Sequence, residues 1–367
     1  MNDAPPAAPE NLAASAFRAS IRGHDVAIDF GNPVPNRSAG SEIELARRIV
    51  LDRAAAMRLL SALNVCLREH DARWRYAPPE QTSPGALRAP TPSHAVPDAA
   101  APRAAHLFRV MDDLRLPYMY ERSVRFTHSG MAANRFLLSL SRSSARDDFA
   151  ALALRLAARV DMPADCREIA ARHAGNARAV HLGFEGDDRI LLKYYIEHDA
   201  AAQATSRDGA AGPATLHLAF KWDAADPARR VVSRYLLFPG LDEAQMLGRM
   251  AAIYRAAGNA ESLEIAHAVL QVACTRVDAD ALQYLEVEED GNERRSFDLN
   301  FYDAGLLVRD LQAPLARMRQ HFDLKPGQFQ ALYDQIKPQT VGHLAGGIHR
   351  DGGDFFNVYY GVQRRQG

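Results

Sequence analysis

From residue 120 onward the chain alternates apolar and polar positions with a period of two, in short stretches that come in pairs around turn residues. The pairs are Tyr120 to Ser141 around Ser129-Gly130, Val180 to Glu197 around Gly186-Asp187-Asp188, and Leu216 to Phe238 turning near Pro227. Ala281 to Tyr302 around Asp290-Gly291-Asn292 and Gly342 to Gly361 around Asp351-Gly352-Gly353 complete the set. This spacing predicts five β-hairpins. Helical patterns separate them at Ala145 to Ala174, Asp242 to Ala257, Ala260 to Val272, Gly305 to His321 and Pro326 to Ile336. A strand, strand, helix unit makes antiparallel neighbours with helices outside, unlike the parallel sheet of βαβ proteins. The predicted class is α+β: a ten-stranded antiparallel β-barrel ringed by helices, whose closure removes exposed sheet edges.

Three leading strands open alike, at His181-Leu182-Gly183, His217-Leu218-Ala219 and His343-Leu344-Ala345. The returning strands carry Arg135, Lys193 and Tyr195, Tyr235, Asn300 and Tyr302, and Tyr359. Residues two apart share a face, so in a closed barrel these groups line one lumen suited to an anion. The chain has only four lysines, at 193, 221, 325 and 337, against forty arginines. That bias draws notice to Lys193-x-Tyr195, since an ammonium and a phenol donate well to phosphate oxygens; exposure at a rim is the rival explanation. In the third hairpin either Ser233 and Tyr235 face inward or Arg234 does, because one parity holds in a regular strand. Glu121 and Arg135 lie near each other across the first hairpin. There a carboxylate can take a proton or steady a cation while the arginine grips a leaving group, although a cross-strand ion pair on a solvated face has the same spacing. The histidines lack HxH or i, i+4 spacing, which favours structural roles over a metal cluster. No Walker loop follows Gly346-Gly347 or Gly352-Gly353, and no GxSxG elbow occurs.

Ahead of the hairpins, residues 1–15 are a low-complexity tail, and residues 16–77 read as a small α+β domain. Its strands are Val26 to Gly31 and Ile43 to Val50, followed by an amphipathic helix through Met57, Leu60, Leu63 and Leu67, capped by Asp52. Residues 78–104, rich in Pro and Ala, read as a linker, leaving 105–367 as the barrel. With 44 basic against 45 acidic residues the net charge is -1, so no global field recruits nucleic acid or membrane. Cys66, Cys166 and Cys274 form no CxxC pair, and the N-terminus has no signal-like apolar run, so the expected location is the cytoplasm.

The hairpin pattern resembles the ABBA-type aromatic prenyltransferases over residues 105 to 365. It is most similar to the cyanobactin peptide prenyltransferase branch at Glu121 to Leu138, Lys193-x-Tyr195 and Asn357-Val358-Tyr359-Tyr360. The resemblance implies Glu121 as the catalytic carboxylate, with Arg135, Lys193, Tyr195, Tyr235, Asn300, Tyr302 and Tyr359 around an allylic diphosphate. The implied partners are that isoprenoid diphosphate and a precursor or cyclic peptide, with Mg2+ assisting. The implied reaction moves a dimethylallyl or geranyl group to a nucleophilic side chain of a ribosomally made peptide. Where many relatives carry a cationic pair in the third hairpin, this chain has Val231 and Ser233. Two alternatives stand beside it, transfer to a small aromatic molecule and a non-catalytic barrel that binds an apolar ligand. The N-terminal unit resembles a small bacterial family of unknown function at Asp29-Phe30-Gly31, Arg48-Ile49-Val50 and Ala56 to Leu63. Peptide recruitment or homodimerisation by strand addition is the expectation for it.

Overall fold

The computed structural model describes residues 16–22, 25–33, 43–52, 55, 100–145, 148–199, 213–255, 257–349 and 351–367. Contacts divide the chain into two units, Met1–Gln81 and Thr82–Gly367. In the first unit, β1 (Ala16–Arg22), β2 (Asp25–Pro33) and β3 (Ile43–Asp52) form an antiparallel sheet with β2 in the centre. Asp29 and Arg48 are direct cross-strand partners, and the guanidinium donates to both carboxylate oxygens at 2.5 and 2.8 Å. Those residues belong to the two short motifs singled out in the sequence. The Asp52 side chain accepts from the Ala55 N–H at 2.6 Å, as an N-cap does; the rest of that expected helix, and the tail, lie outside the described residues.

The second unit begins with α1 (Ala100–Asp112). Residues 100–104, expected in the linker, are its first turn, where Pro102 costs no intrahelical hydrogen bond. Ten strands then close on themselves: β4 (Pro117–Thr127), β6 (Arg135–Ser141), β7 (Ala177–Gly186), β8 (Ile190–His198), β9 (Ala214–Asp223), β10 (Arg230–Phe238), β11 (Gln283–Glu289), β12 (Asn292–Asn300), β13 (Val341–Ile348) and β14 (Asp354–Gln366). Each pairs antiparallel with its neighbours, β14 returns to β4, and the three-residue β5 (Gly130–Ala132) extends the first hairpin. The expected barrel is therefore present. Tyr302, expected on a strand, instead opens a 3-10 turn just past the end of β12.

Helices cover the outside of this sheet. They are α2 (Phe149–Arg159), α3 (Ala164–His173), α4 (Glu243–Arg255), α5 (Ala260–Cys274), α6 (Gln312–His321) and α7 (Pro326–Ile336). The single segment expected at 145–174 is two helices, because Asp161 takes a positive φ of 56° and Pro163 cannot continue a helix. Strand alternation explains the layering. On β8, Leu192, Tyr194 and Ile196 face outward and are buried against α1, α2 and α3, while Lys193, Tyr195 and Glu197 face the lumen. The outward face of β12, β13 and β14 is buried in the same way under α4 to α7. The barrel thus keeps its apolar core between sheet and helices, and its polar side chains inside.

Phe356 on β14 is fully buried in that outer layer, with ring centroids 6.2 Å from Tyr254 and 6.1 Å from Phe322. Phe356→Ala should lower unfolding free energy by about 3–5 kcal/mol, the usual range for emptying an aromatic core site. Urea titration followed by circular dichroism checks this, and a loss under about 1 kcal/mol would mean the layer collapses to fill the gap.

Candidate active site

The five hairpin turns lie at one end of the barrel, since successive strands run antiparallel. A cavity of about 310 Å³ occupies the lumen, and its lining changes character along the axis. Toward the turn end sit Arg135, Glu185 and Lys193; Glu185 also lines two further hollows with Arg125 and Arg189, one shared with Arg135 and the other with Lys193 and Lys221. Tyr195, Tyr235 and Tyr359 form a collar in the middle. Toward the opposite mouth are Glu121, Asn300, Tyr302 and three histidines, with Met119, Leu216 and Leu285 as the apolar lining.

The cationic end is organised by a buried carboxylate that the sequence reading did not select. Arg135 donates to both Glu185 oxygens, at 2.7 and 2.6 Å; Lys193 donates to Glu185 as well, and Arg125 stands 3.9 Å away. Burial would raise the Glu185 carboxyl, but Arg135, Lys193 and Arg125 together hold it well below the ordinary range. Burial also pulls the Lys193 ammonium down to about 8 against the pull of Glu185. Lys221 is the direct cross-strand partner of Lys193, so two of the four lysines face each other on neighbouring strands. Like charges opposite one another destabilise a sheet, and the Glu185 carboxylate on Lys193 offsets that here. Gly183 keeps this place open, because a Cβ there would come within 3.1 Å of the Lys193 side chain.

Glu121 is 4% exposed and stands opposite Leu137, so Arg135 lies one inward-facing step away along the hairpin and pairs with Glu185 rather than with Glu121. The partners of Glu121 come from the far side of the seam. The Tyr302 hydroxyl donates to its two oxygens, each at 2.7 Å, and His343 Nε2 lies 3.5 Å from Oε2. His343 Nδ1 is 2.7 Å from Asp298 Oδ1, and the ring stacks on Tyr359 at 3.7 Å between centroids. Burial alone would lower the imidazole, but Asp298 and then Glu121 outweigh it and hold it up to about 10. Burial, then Glu121, pushes the Tyr302 phenol well above its ordinary value, so it stays a donor. Gly342 makes this arrangement possible, since a Cβ there would run into the Tyr302 ring.

The third hairpin resolves in favour of Tyr235. It lines the lumen with ring centroids 5.9 Å from Tyr195 and 5.7 Å from His217, while Arg234 points outward, half-exposed, 3.0 Å from Asp290. All the residues selected from the sequence line this one cavity, but they divide between its ends. Asn300 and Tyr302 sit with Glu121, and Arg135 and Lys193 sit with Glu185. Two groups among the described residues could hold a metal: His181, Glu197 and His217 in the lumen, and His128, His321 and Asp354 outside it. The histidines expected to be structural are therefore lumenal. Extending the period-two face of β7 from His181 through Gly183 reaches Glu185, and the same step on β4 reaches Arg125.

His343 titration gives a direct check. Its raised folded value means that its contribution to stability is complete below about 6.5 and is lost as pH rises through about 10. In a 15N imidazole spectrum His343 should remain the doubly protonated cation at pH 8, and a neutral tautomer there would refute the two-carboxylate clamp.

No family model and no curated protein matches this chain. Solved structures similar to it include AnaPT from Neosartorya fischeri, at 13% identity and a TM-score of 0.44 over 66% of this chain and 77% of that one. The 5-dimethylallyltryptophan synthase of Streptomyces coelicolor gives 13%, 0.44, 66% and 80% in the same order. PriB in its binary complex with product diphosphate gives 15%, 0.44, 66% and 79%.

Proposed function

We propose that the chain is a prenyltransferase that moves a prenyl group from an allylic diphosphate to a nucleophilic side chain of a ribosomally made peptide. The observation that carries the reading is the polarity of the lumen, from Arg135 and Lys193 around Glu185 at one end, through a tyrosine collar, to a buried glutamate at the other. In the proposed reaction the diphosphate lies against Lys193, Lys221, Arg135 and Arg125, whose charges favour departure of the pyrophosphate as the C–O bond ionises. Tyr195, Tyr235 and Tyr359 wall the allyl cation and exclude water from it. Glu121 orients the acceptor and takes its proton, while the Tyr302 hydroxyl and the His343 imidazolium keep the carboxylate in place. Asp187 at the cationic mouth is the carboxylate that would hold a magnesium ion, which would supply charge neutralisation for the departing diphosphate. Transfer to a small aromatic acceptor is the second reading, favoured by a lumen cavity of about 310 Å³, which suits a single ring system.

Incubation with dimethylallyl or geranyl diphosphate and candidate acceptors, read by mass spectrometry, should give a product heavier by one prenyl unit. Glu121→Gln should reduce turnover by about 10²-fold or more with diphosphate affinity nearly unchanged, as expected when a proton acceptor is lost. Turnover equal to wild type in that variant would reject Glu121 as the proton acceptor, and no product with any acceptor would leave only a barrel that binds an apolar ligand.

The N-terminal sheet is the proposed docking element for the peptide. Its β3 is an edge strand, and Ile49 and Val50 on it are 38% and 56% exposed. An added strand would meet both this edge, unpaired among the described residues, and these apolar side chains. Removing residues 1–95 should raise the KM for a full-length peptide and leave that for a short core peptide unchanged. Equal KM values for the full-length peptide with and without the unit would reject this role, and retained dimer formation by the shortened chain would reject strand-addition dimerisation.

A further inference from the structure

The lumen contains a donor set that prenyl transfer as described does not use. Glu197 on β8 and His217 on β9 are directly opposite in the sheet, and His181 on β7 reaches Glu197 Oε2 through its Nε2 at 3.0 Å. One ligand atom from each of the three lies within 4.8 Å of the others. His217 Nδ1 is buried and has no hydrogen-bond partner, a state that in a native interior calls for a water, an ion or a catalytic role. His181 Nδ1 is held by Ser139 Oγ at 2.7 Å, the outer-partner arrangement that fixes the ring of a ligating histidine.

We propose that His181, Glu197 and His217 bind one divalent transition-metal ion in the lumen, with its remaining coordination positions open to the cavity. Two imidazoles and a carboxylate suit zinc, cobalt, iron(II) or manganese better than magnesium or calcium, which prefer all-oxygen sites. Metal–ligand bonds of about 2.0–2.2 Å require the three donors to draw in by about 1 Å. The ion displaces the hydrogen bond between His181 and Glu197 and gives the orphaned His217 nitrogen a neighbourhood that uses it. The second histidine cluster is a contrast: His321 Nε2 already contacts Asp354 at 2.6 Å and Ser262 at 3.1 Å, and His128 is largely exposed. The inference stands whether or not the chain transfers prenyl groups, because its test reads metal binding alone.

The full chain, stripped with a chelator, is titrated with cobalt(II) and with zinc under visible spectroscopy and elemental analysis. The expected result is one ion per chain, cobalt d–d bands, and displacement of cobalt by zinc. Glu197→Gln, which preserves shape, should fold as judged by circular dichroism and lose the bands; His217→Ala should do the same. Ser139→Ala keeps the three ligands and should weaken binding by about 10–100-fold. His321→Ala should bind as wild type does. A wild-type protein that takes up no stoichiometric cobalt, bands that persist in folded Glu197→Gln or in His217→Ala, unchanged affinity in Ser139→Ala, or binding lost in His321→Ala would each overturn the site.

Discussion

The pairing of β4 with β14 is the contact on which the rest of the molecule depends. It joins the first strand of the barrel to the last, and the contacts it brings together are distant in sequence: Arg125 Nε donates to Asn357 Oδ1 at 2.9 Å across 232 residues. Glu121 meets Tyr302 and His343 because β12 and β13 lie just beyond that seam. An open sheet would leave Glu121 on an edge strand in water, where its carboxylate would be neither clamped nor dry. Closure also sets the folding problem, since loop entropy must be lost across nearly the whole barrel before this pairing contributes.

Closure has an electrostatic consequence. With the apolar faces of the strands committed to the helices, the lumen takes the polar faces, and every charge there must find its opposite within reach. The solutions differ at the two ends. At the turn end one carboxylate, Glu185, is shared among Arg135, Lys193 and Arg125, leaving an excess of positive charge. At the other mouth one imidazole, His343, is shared between Asp298 and Glu121, leaving an excess of negative charge. The tyrosine collar separates the two poles with side chains that donate hydrogen bonds but carry no charge.

The hairpins, their order and the surrounding helices were legible because alternation of period two survives in nearly every strand. The phase of the third hairpin was not, and the reason is local. The register slips between Tyr235 and Leu236, a bulge on β9 that turns the consecutive residues Leu216 and His217 both toward the cavity. No rule of alternation predicts two neighbours on one face. Glu185 was missed for a different reason: it precedes a Gly-Asp-Asp turn and reads as part of it, although it completes the inward face of β7. The meeting of His181, Glu197 and His217 was not legible either, because sequence spacing along one strand cannot reveal side chains that converge from three adjacent strands. Tyr302 was selected, but its partner depends on a turn that leaves the strand, and only closure supplies Glu121 as that partner.

The arrangement of the cations bears on how an anion would be received. Arg135 and Lys193 are already engaged by Glu185, so an incoming diphosphate gains less from them than from isolated charges of the same number. Lys221, the cross-strand partner of Lys193, adds a further ammonium beside this cluster. An anion at this end opposes the desolvation that draws the Lys193 ammonium down to about 8, because a neighbouring anion favours the charged form. Binding and protonation therefore reinforce each other at this end of the barrel. Glu185 then serves less as a competitor than as the group that keeps Arg135 and Lys193 ordered and charged.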